Sequence, residues 1–254
     1  VNFKTTINVT AGNTTNYVLH DKMTGLTYKA DSIQITKANG AVTLIKGTDY
    51  TIETPTDGCS FEIKFVNDKL NAGDVVVVTY TATVNADAAV AGTGNTNETW
   101  LDYGNDGHTT HDTTRTYVWE FKIYKYTKGA GENETVALPH AEFVLYKKSG
   151  ETKSYLTANG NKLTGWTTEE NSATKFTSDN NGNISISGLD AGEYYLKETK
   201  APDGYNKLTD DIKVVLTKEY NESTNVGTAS FAYSNVTKAD KVEVENNAGT
   251  TLPS

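Results

Sequence analysis

The sequence predicts an all-β protein of two β-sandwich domains in tandem, and three observations carry that prediction. Short runs rich in β-branched and aromatic residues recur along the chain, with apolar and polar positions alternating at the period of a half-buried strand. Turn formers such as ANG, TDG, NDG, NNGN and PDG stand between the runs. No segment carries a long amphipathic helical period.

Taken in order, the first five runs are VNFKTTINV at 1–9, NYVLHD at 16–21, SIQIT at 32–36, FEIKFV at 61–66 and DVVVVTYTATV at 74–84. The polar, turn-rich stretch GNDGHTTHDTTR at 104–115 follows, and a long alternating strand, TYVWEFKIYKYT, opens at 116. The boundary is therefore placed there, giving domains 1–115 and 116–247. AEFVLY at 141–146, NISISGL at 183–189, YYLKETK at 194–200, DIKVVLT at 211–217 and KVEVEN at 241–246 continue the second domain, and a polar tail, AGTTLPS, closes the chain at 248–254.

The chain has 254 residues, 36% of them hydrophobic and 22% charged, a globular composition with room for two domains of ordinary size. A net charge of -9, with its 23 basic residues scattered, argues against a nucleic-acid surface. Cys59 is the single cysteine, so no internal disulfide forms, although the abundance of Thr, Asn, Gly and Tyr has an extracellular character. No run approaches the roughly 18 apolar residues of a membrane span, and Val1 opens no leader-like segment, so the expectation is a piece trimmed at both ends.

Strand parity singles out three polar residues. Lys125 is in phase with Trp119, Phe121 and Ile123; Glu198 is in phase with Tyr194 and Leu196; Asn246 is in phase with Val242 and Val244. The three face inward from three strands and could meet. Desolvation lowers the pKa of a buried lysine toward the neutral amine and raises that of a buried glutamate toward the neutral acid. The amine can then attack the Asn carboxamide, the glutamate can shuttle the protons, and ammonia leaves behind an amide between Lys125 and Asn246. Parity alone also allows a plainer arrangement, in which Lys125 snorkels, Asn246 caps a strand end and Glu198 joins an ordinary ion pair.

The stretch YYLKETKAPDGY, 194–205, resembles the E-box of sortase-assembled pilins and Gram-positive surface adhesins, in their collagen-adhesin B-type domains. LPHAEFVLYK, 138–147, is similar to the strand that follows the lysine strand there, with Pro139 and His140 departing from its pattern. VENNAGTTLPS resembles the end of such a pilin, the last strand running into a Leu-Pro-x-Thr-Gly sorting signal cut after Leu252, Pro253 and Ser254. The resemblance implies immunoglobulin-like sandwiches and an intramolecular isopeptide bond formed by the Lys, Glu and Asn of these motifs, which fall on Lys125, Glu198 and Asn246. Asn247 competes, and parity favours Asn246.

In the first domain, NYVLHDKMTGLTY and NTNETWLDYGN resemble the shaft domain that precedes the B-type domain in backbone pilins. Related domains often hold a Lys-Asn bond assisted by an acid, which points to Asp21, in phase with Tyr17 and Leu19, and Asn97, in phase with Leu101 and Tyr103. The candidate lysine, Lys4, is one residue out of phase with the core set Phe3, Thr5 and Ile7. Three alternatives stand: a bulge turns Lys4 inward, the lysine precedes Val1, or this domain carries no crosslink.

The resemblance implies a structural subunit of an extracellular, cell-wall-anchored pilus, joined covalently to other pilin subunits by sortase. It implies no turnover chemistry, cofactor, metal or membrane partner. The alternative is a wall-anchored adhesin in which these domains form a stalk or bind a host protein or glycan. No acceptor-lysine motif of the Y-P-K-N kind is present, so the polymerising lysine is expected upstream of Val1. HTTH at 108–111 reads as a solvated turn and SDNNGN at 178–183 as a hairpin turn. Cys59, with no basic partner nearby in sequence, reads as inert. No Ser-His-Asp order, phosphate loop or dinucleotide fingerprint is found.

Overall fold

A computed structural model describes residues 1–12, 14–85 and 87–249. It is all β apart from two short 3-10 turns, Ala30–Ser32 and Glu170–Ser172, as the strand-length alternations predict. The chain divides into two units, Val1–Ala89 with Gly94–Thr116, and Val90–Thr93 with Tyr117 onward. Val90–Thr93 goes with the second unit because Val90 bridges Val118 and Gly92 bridges Gly227.

The first unit packs two sheets face to face. One orders the strands Asn2–Asn8, Val75–Val84, Gln34–Lys37 and Val42–Thr43, with Leu26–Tyr28 also paired to Val75–Val84. The other orders Gly107–His108, Asn95–Tyr103, Val18–Met23, Phe61–Phe65 and Tyr50–Glu53, with Asp112–Thr116 added beside Asn95–Tyr103. Gly107–His108 and most of Asp112–Thr116 lie in the polar stretch 104–115 at which the sequence reading places the domain boundary. Their residues are largely exposed, so no apolar alternation marks them. The core is built by in-phase residues of both sheets, among them Ile7, Leu19, Ile35, Phe61, Ile63, Val76 and Val78. Burying such side chains contributes about 1.5–3 kcal/mol each before entropy is set against it.

The second unit is a continuous run of strand pairings around a main core, with a smaller cluster of Val144, Tyr146 and Tyr155 beside it. Its order is Thr135–Ala137, Trp119–Lys128, Asn183–Leu189, Lys162–Thr167, Thr152–Asn159, Glu142–Ser149, Gly192–Lys200, Ile212–Asn221, Val226–Tyr233 and Val236–Lys238. The final strand, Val242–Glu245, lies parallel to Trp119–Lys128, with Ile123 opposite Val242 and Lys125 opposite Val244. The first long strand and the last therefore run side by side, although more than a hundred residues separate them. Trp119, Phe121 and Ile123 face the core beside Phe143, Leu145, Leu196, Val242 and Val244.

Candidate functional site

The alternation that buries Trp119, Phe121 and Ile123 carries Lys125 to the same face, where it is 0% exposed. Gly192–Lys200 does the same for Glu198, at 3%, and the last strand delivers Asn246 at 1% while Asn247 is exposed. The structure thus brings together the three residues that parity placed inward.

Lys125 Nζ donates to the Val244 carbonyl at 3.0 Å and lies 3.9 Å from Glu198 Oε1. Glu198 Oε2 accepts from Asn246 Nδ2 at 3.1 Å and from the Leu208 backbone N–H at 2.8 Å. Asn246 Nδ2 also donates to the Asn206 carbonyl at 2.9 Å. One carboxylate therefore stands between the amine and the carboxamide. Glu198 Oε1 and Asn246 Oδ1 are buried without a hydrogen-bond partner, an arrangement that ordinarily costs about 1–3 kcal/mol per group. Burial pulls the Lys125 pKa down to about 8, against the opposing pull of Glu198 and Glu245, so a neutral amine is within reach at mild pH.

The backbone around the site is fixed on three sides. The Lys125 N–H donates to the Gly182 carbonyl, and the Lys125 carbonyl accepts from Leu138 N–H. Gly182, in the SDNNGN turn, has φ +74°, and a Cβ there would stand 2.3 Å from the Lys125 carbonyl oxygen. The turn is tight, with Asp179 Oδ1 accepting from the N–H groups of Asn181 and Asn183, but it is not the hairpin expected from sequence, because Phe176–Thr177 pairs with Glu142–Ser149 and Asn183–Leu189 with Trp119–Lys128. On the far side, Asn206 N–H donates to Asn247 O and Gly249 N–H to Gly204 O, which ties the PDGYN segment to the chain beyond Asn246. These contributions from Asn206 and Leu208 are not marked by sequence alternation, because they come from a loop.

In the first unit, Asp21 and Asn97 are buried and meet, with Asn97 Nδ2 donating to Asp21 Oδ2 at 3.1 Å. Lys4 does not join them. Its strand pairs regularly with Val75–Val84, Lys4 opposite Thr79, and no bulge turns its exposed side chain inward. Among the described residues Lys125 is the one buried lysine. The place beside Asp21 is taken by Tyr80, whose hydroxyl donates to Asp21 Oδ2 and accepts from Asn97 Nδ2 at 2.8 Å. Tyr80 was legible as a core tyrosine in phase with Val76 and Val78, and a buried tyrosine hydroxyl needs a partner. Burial raises the Asp21 pKa to about 6, with the Tyr80 and Asn97 hydrogen bonds opposing. Leu252, Pro253 and Ser254 lie outside the described residues.

Residues 120–230 match the family model of the SpaA prealbumin-like fold domain. The structure of the group B streptococcus pilus 2b backbone protein superposes with a TM-score of 0.72 at 24% identity, covering 98% of this chain and 93% of that one. The pilus backbone protein RrgB of Streptococcus pneumoniae gives 0.64 at 16% identity, over 96% and 91% of the two chains. The major pilin SpaA of Corynebacterium diphtheriae, described as a modular pilus assembly with stabilising isopeptide bonds, gives 0.62 at 17% identity, over 96% and 63%. No curated protein sequence matches the chain. The fold is thus that of the Gram-positive pilus backbone proteins, two sandwich domains in tandem. The SpaA prealbumin-like match falls within the second domain, and the pilin-like fold expected from the sequence is borne out.

Proposed function

We propose that the chain is a structural subunit of a sortase-assembled surface pilus and that its second domain closes itself with an isopeptide bond between Lys125 and Asn246. The observation that carries this reading is the buried Lys125–Glu198–Asn246 constellation, set between the first long strand and the last of a pilin-type domain.

The chemistry follows from the contacts. Lys125 passes a proton to Glu198 and becomes a neutral amine, which attacks Cγ of Asn246. Glu198, now the acid, delivers that proton to the departing NH2 and, as a carboxylate again, takes up the proton released by the attacking nitrogen, so one C–N bond forms, one breaks, and one ammonia leaves. No oxidant or cofactor enters. The pocket contributes through burial, which favours the neutral amine, and through the two carbonyls that hold Lys125 and Asn246 in place.

The bond spans 246 - 125 = 121 positions. Treated as a covalent crosslink in a chain-entropy model, a loop of this length stabilises by ~5 kcal/mol. Its mechanical effect is larger, because a tie between the first and last strands carries tension past the intervening strands. Sortase would join the carboxyl end to a lysine of the next subunit or to the cell wall. Cell-wall extracts of the native bacterium, blotted against this chain, should show a ladder of high-mass polymers that collapses when sortase is deleted. A single monomeric band in sortase-competent cells would favour the adhesin stalk.

A further inference from the structure

On the outer face of the first unit's second sheet, Glu62, His20 and Trp100 are direct cross-strand neighbours, His20 opposite Glu62 on one side and opposite Trp100 on the other. Outward-facing strand positions are ordinarily solvated, yet Glu62 is only 6% exposed, and Cys59, in the turn before that strand, is only 8% exposed. His20 lies flat on the Trp100 ring, with centroids 4.8 Å apart and planes 2° from parallel. The ring is thereby held in one orientation.

Both ring nitrogens of His20 face carboxylates. Nδ1 is 2.9 Å from Glu62 Oε1, and Nε2 is 2.9 Å from Asp102 Oδ2. A neutral imidazole has one N–H and can donate to only one of them. The other nitrogen needs a cation between it and its carboxylate, either a second proton or a metal ion. The remaining donors favour the metal. Cys59 Sγ lies 3.8 Å from His20 Nδ1, and the donor atoms of His20, Asp57, Cys59 and Glu62 all lie within 4.8 Å of one another. Tetrahedral zinc, with bonds of about 2.0–2.3 Å, sets its N and S ligands roughly 3.5 Å apart, close to the spacing already present.

The chain is shaped to hold these donors. Gly58 has φ +96°, which lets Asp57 fold back so that its Oδ1 accepts the Cys59 N–H at 3.0 Å. Ser60 anchors the turn to the neighbouring strand, donating its N–H to the Asp21 carbonyl and accepting Met23 N–H on Oγ. Behind the ring, the Asp102 carboxylate accepts from Nε2–H, the arrangement that fixes the tautomer and raises the basicity of a metal-bound histidine.

We infer that His20 Nδ1, Cys59 Sγ, Glu62 and Asp57 form a four-donor site for a zinc-type divalent cation in the first domain. Sequence reading left Cys59 without a basic partner because His20 reaches it from another strand. Binding replaces the thiol proton with an S–metal bond and releases that proton to solvent, so the site is filled more readily as pH rises.

The test uses the intact chain, metal-free, titrated with Co2+ alone and then with Zn2+ alone. Since Cys59 is the single cysteine, a thiolate-to-cobalt charge-transfer band can come only from that residue. The expected result is one equivalent of Co2+ giving that band together with the strong visible absorption of tetrahedral cobalt, both erased by Zn2+. The Cys59→Ser chain should lose the band, and Glu62→Gln should weaken Zn2+ affinity at least tenfold. A folded wild-type chain that takes up no Co2+, or takes it up without the thiolate band, overturns the site. So does Zn2+ affinity unchanged in both variants. Should Cys59→Ser fail to fold, the wild-type cobalt spectrum and Glu62→Gln decide alone.

Discussion

Lys125 Nζ stands 3.9 Å from Glu198 Oε1 with neither side chain exposed, too long for a hydrogen bond and fully removed from water. A buried pair of this kind is a poor stabiliser, since the cost of desolvating both ions can exceed their attraction. The pair makes chemical sense as a proton-exchanging couple beside the carboxamide of Asn246, and that view separates it from an ordinary ion pair in several measurable ways.

Replacing Glu198 with Ala should leave the β fold intact and stop the crosslink. Thermal melting of the second domain should then fall, by ~5 kcal/mol of lost crosslink stabilisation together with the cost of an unpaired Lys125. Mass spectrometry should show the variant retaining the ammonia that the parent loses. A crosslink persisting in the purified variant would remove Glu198 from the mechanism.

An Asn246→Ala chain keeps Lys125 as a free amine and exposes its titration. The folded pKa is about 8 against an ordinary value of 10.5, so between those pH values the unfolded chain binds the extra proton. Stability from this group therefore rises with pH from about 8 to 10.5, by ~3 kcal/mol at most. Chemical denaturation of Asn246→Ala compared with Asn246→Ala/Lys125→Met isolates the effect from the tyrosines. Identical pH profiles for the two would show that Lys125 is not desolvated.

Asp21 works in the opposite sense. Its folded pKa is about 6 against an ordinary 3.8, so the folded state holds the proton more tightly across that window. Its contribution is fully present below about pH 4 and is lost as pH rises through 6. Asp21→Asn, which can still accept from Tyr80, should flatten this decline and stabilise the first domain at pH 7. A destabilised Asp21→Asn domain with its pH slope intact would show the carboxyl to be ionised throughout.

The first domain should also accept a crosslink by design. Thr5 faces inward beside Tyr80, and the Tyr80 hydroxyl fills the space next to Asp21 and Asn97. Thr5→Lys combined with Tyr80→Ala places an amine at the Asp21–Asn97 pair and room for its side chain. The double variant should lose one ammonia more than the parent. An unchanged deficit would show that this pair lacks the geometry for acyl transfer.

Parity made Lys125, Glu198 and Asn246 legible because all three lie in, or one step beyond, regular strands whose other inward residues are strongly apolar. The same rule marked Asp21 and Asn97 and set Lys4 outside. It was blind to Tyr80 as a partner, since that contact joins opposite sheets and no spacing along the chain encodes it. It was equally blind to Asp112–Thr116, whose mostly exposed residues have no apolar face to alternate, and to the His20–Cys59 meeting across strands.

The central claim is that the second domain closes through Lys125 and Asn246 while the first stays open, and intact mass of the purified chain followed by tandem mass spectrometry of its peptides tests it most directly. The account predicts a deficit of one ammonia, with the peptide bearing Lys125 joined to the one bearing Asn246. An unchanged mass would contradict the crosslink in the second domain, and a deficit of two would contradict the reading of Tyr80 as the group that takes the lysine's place in the first.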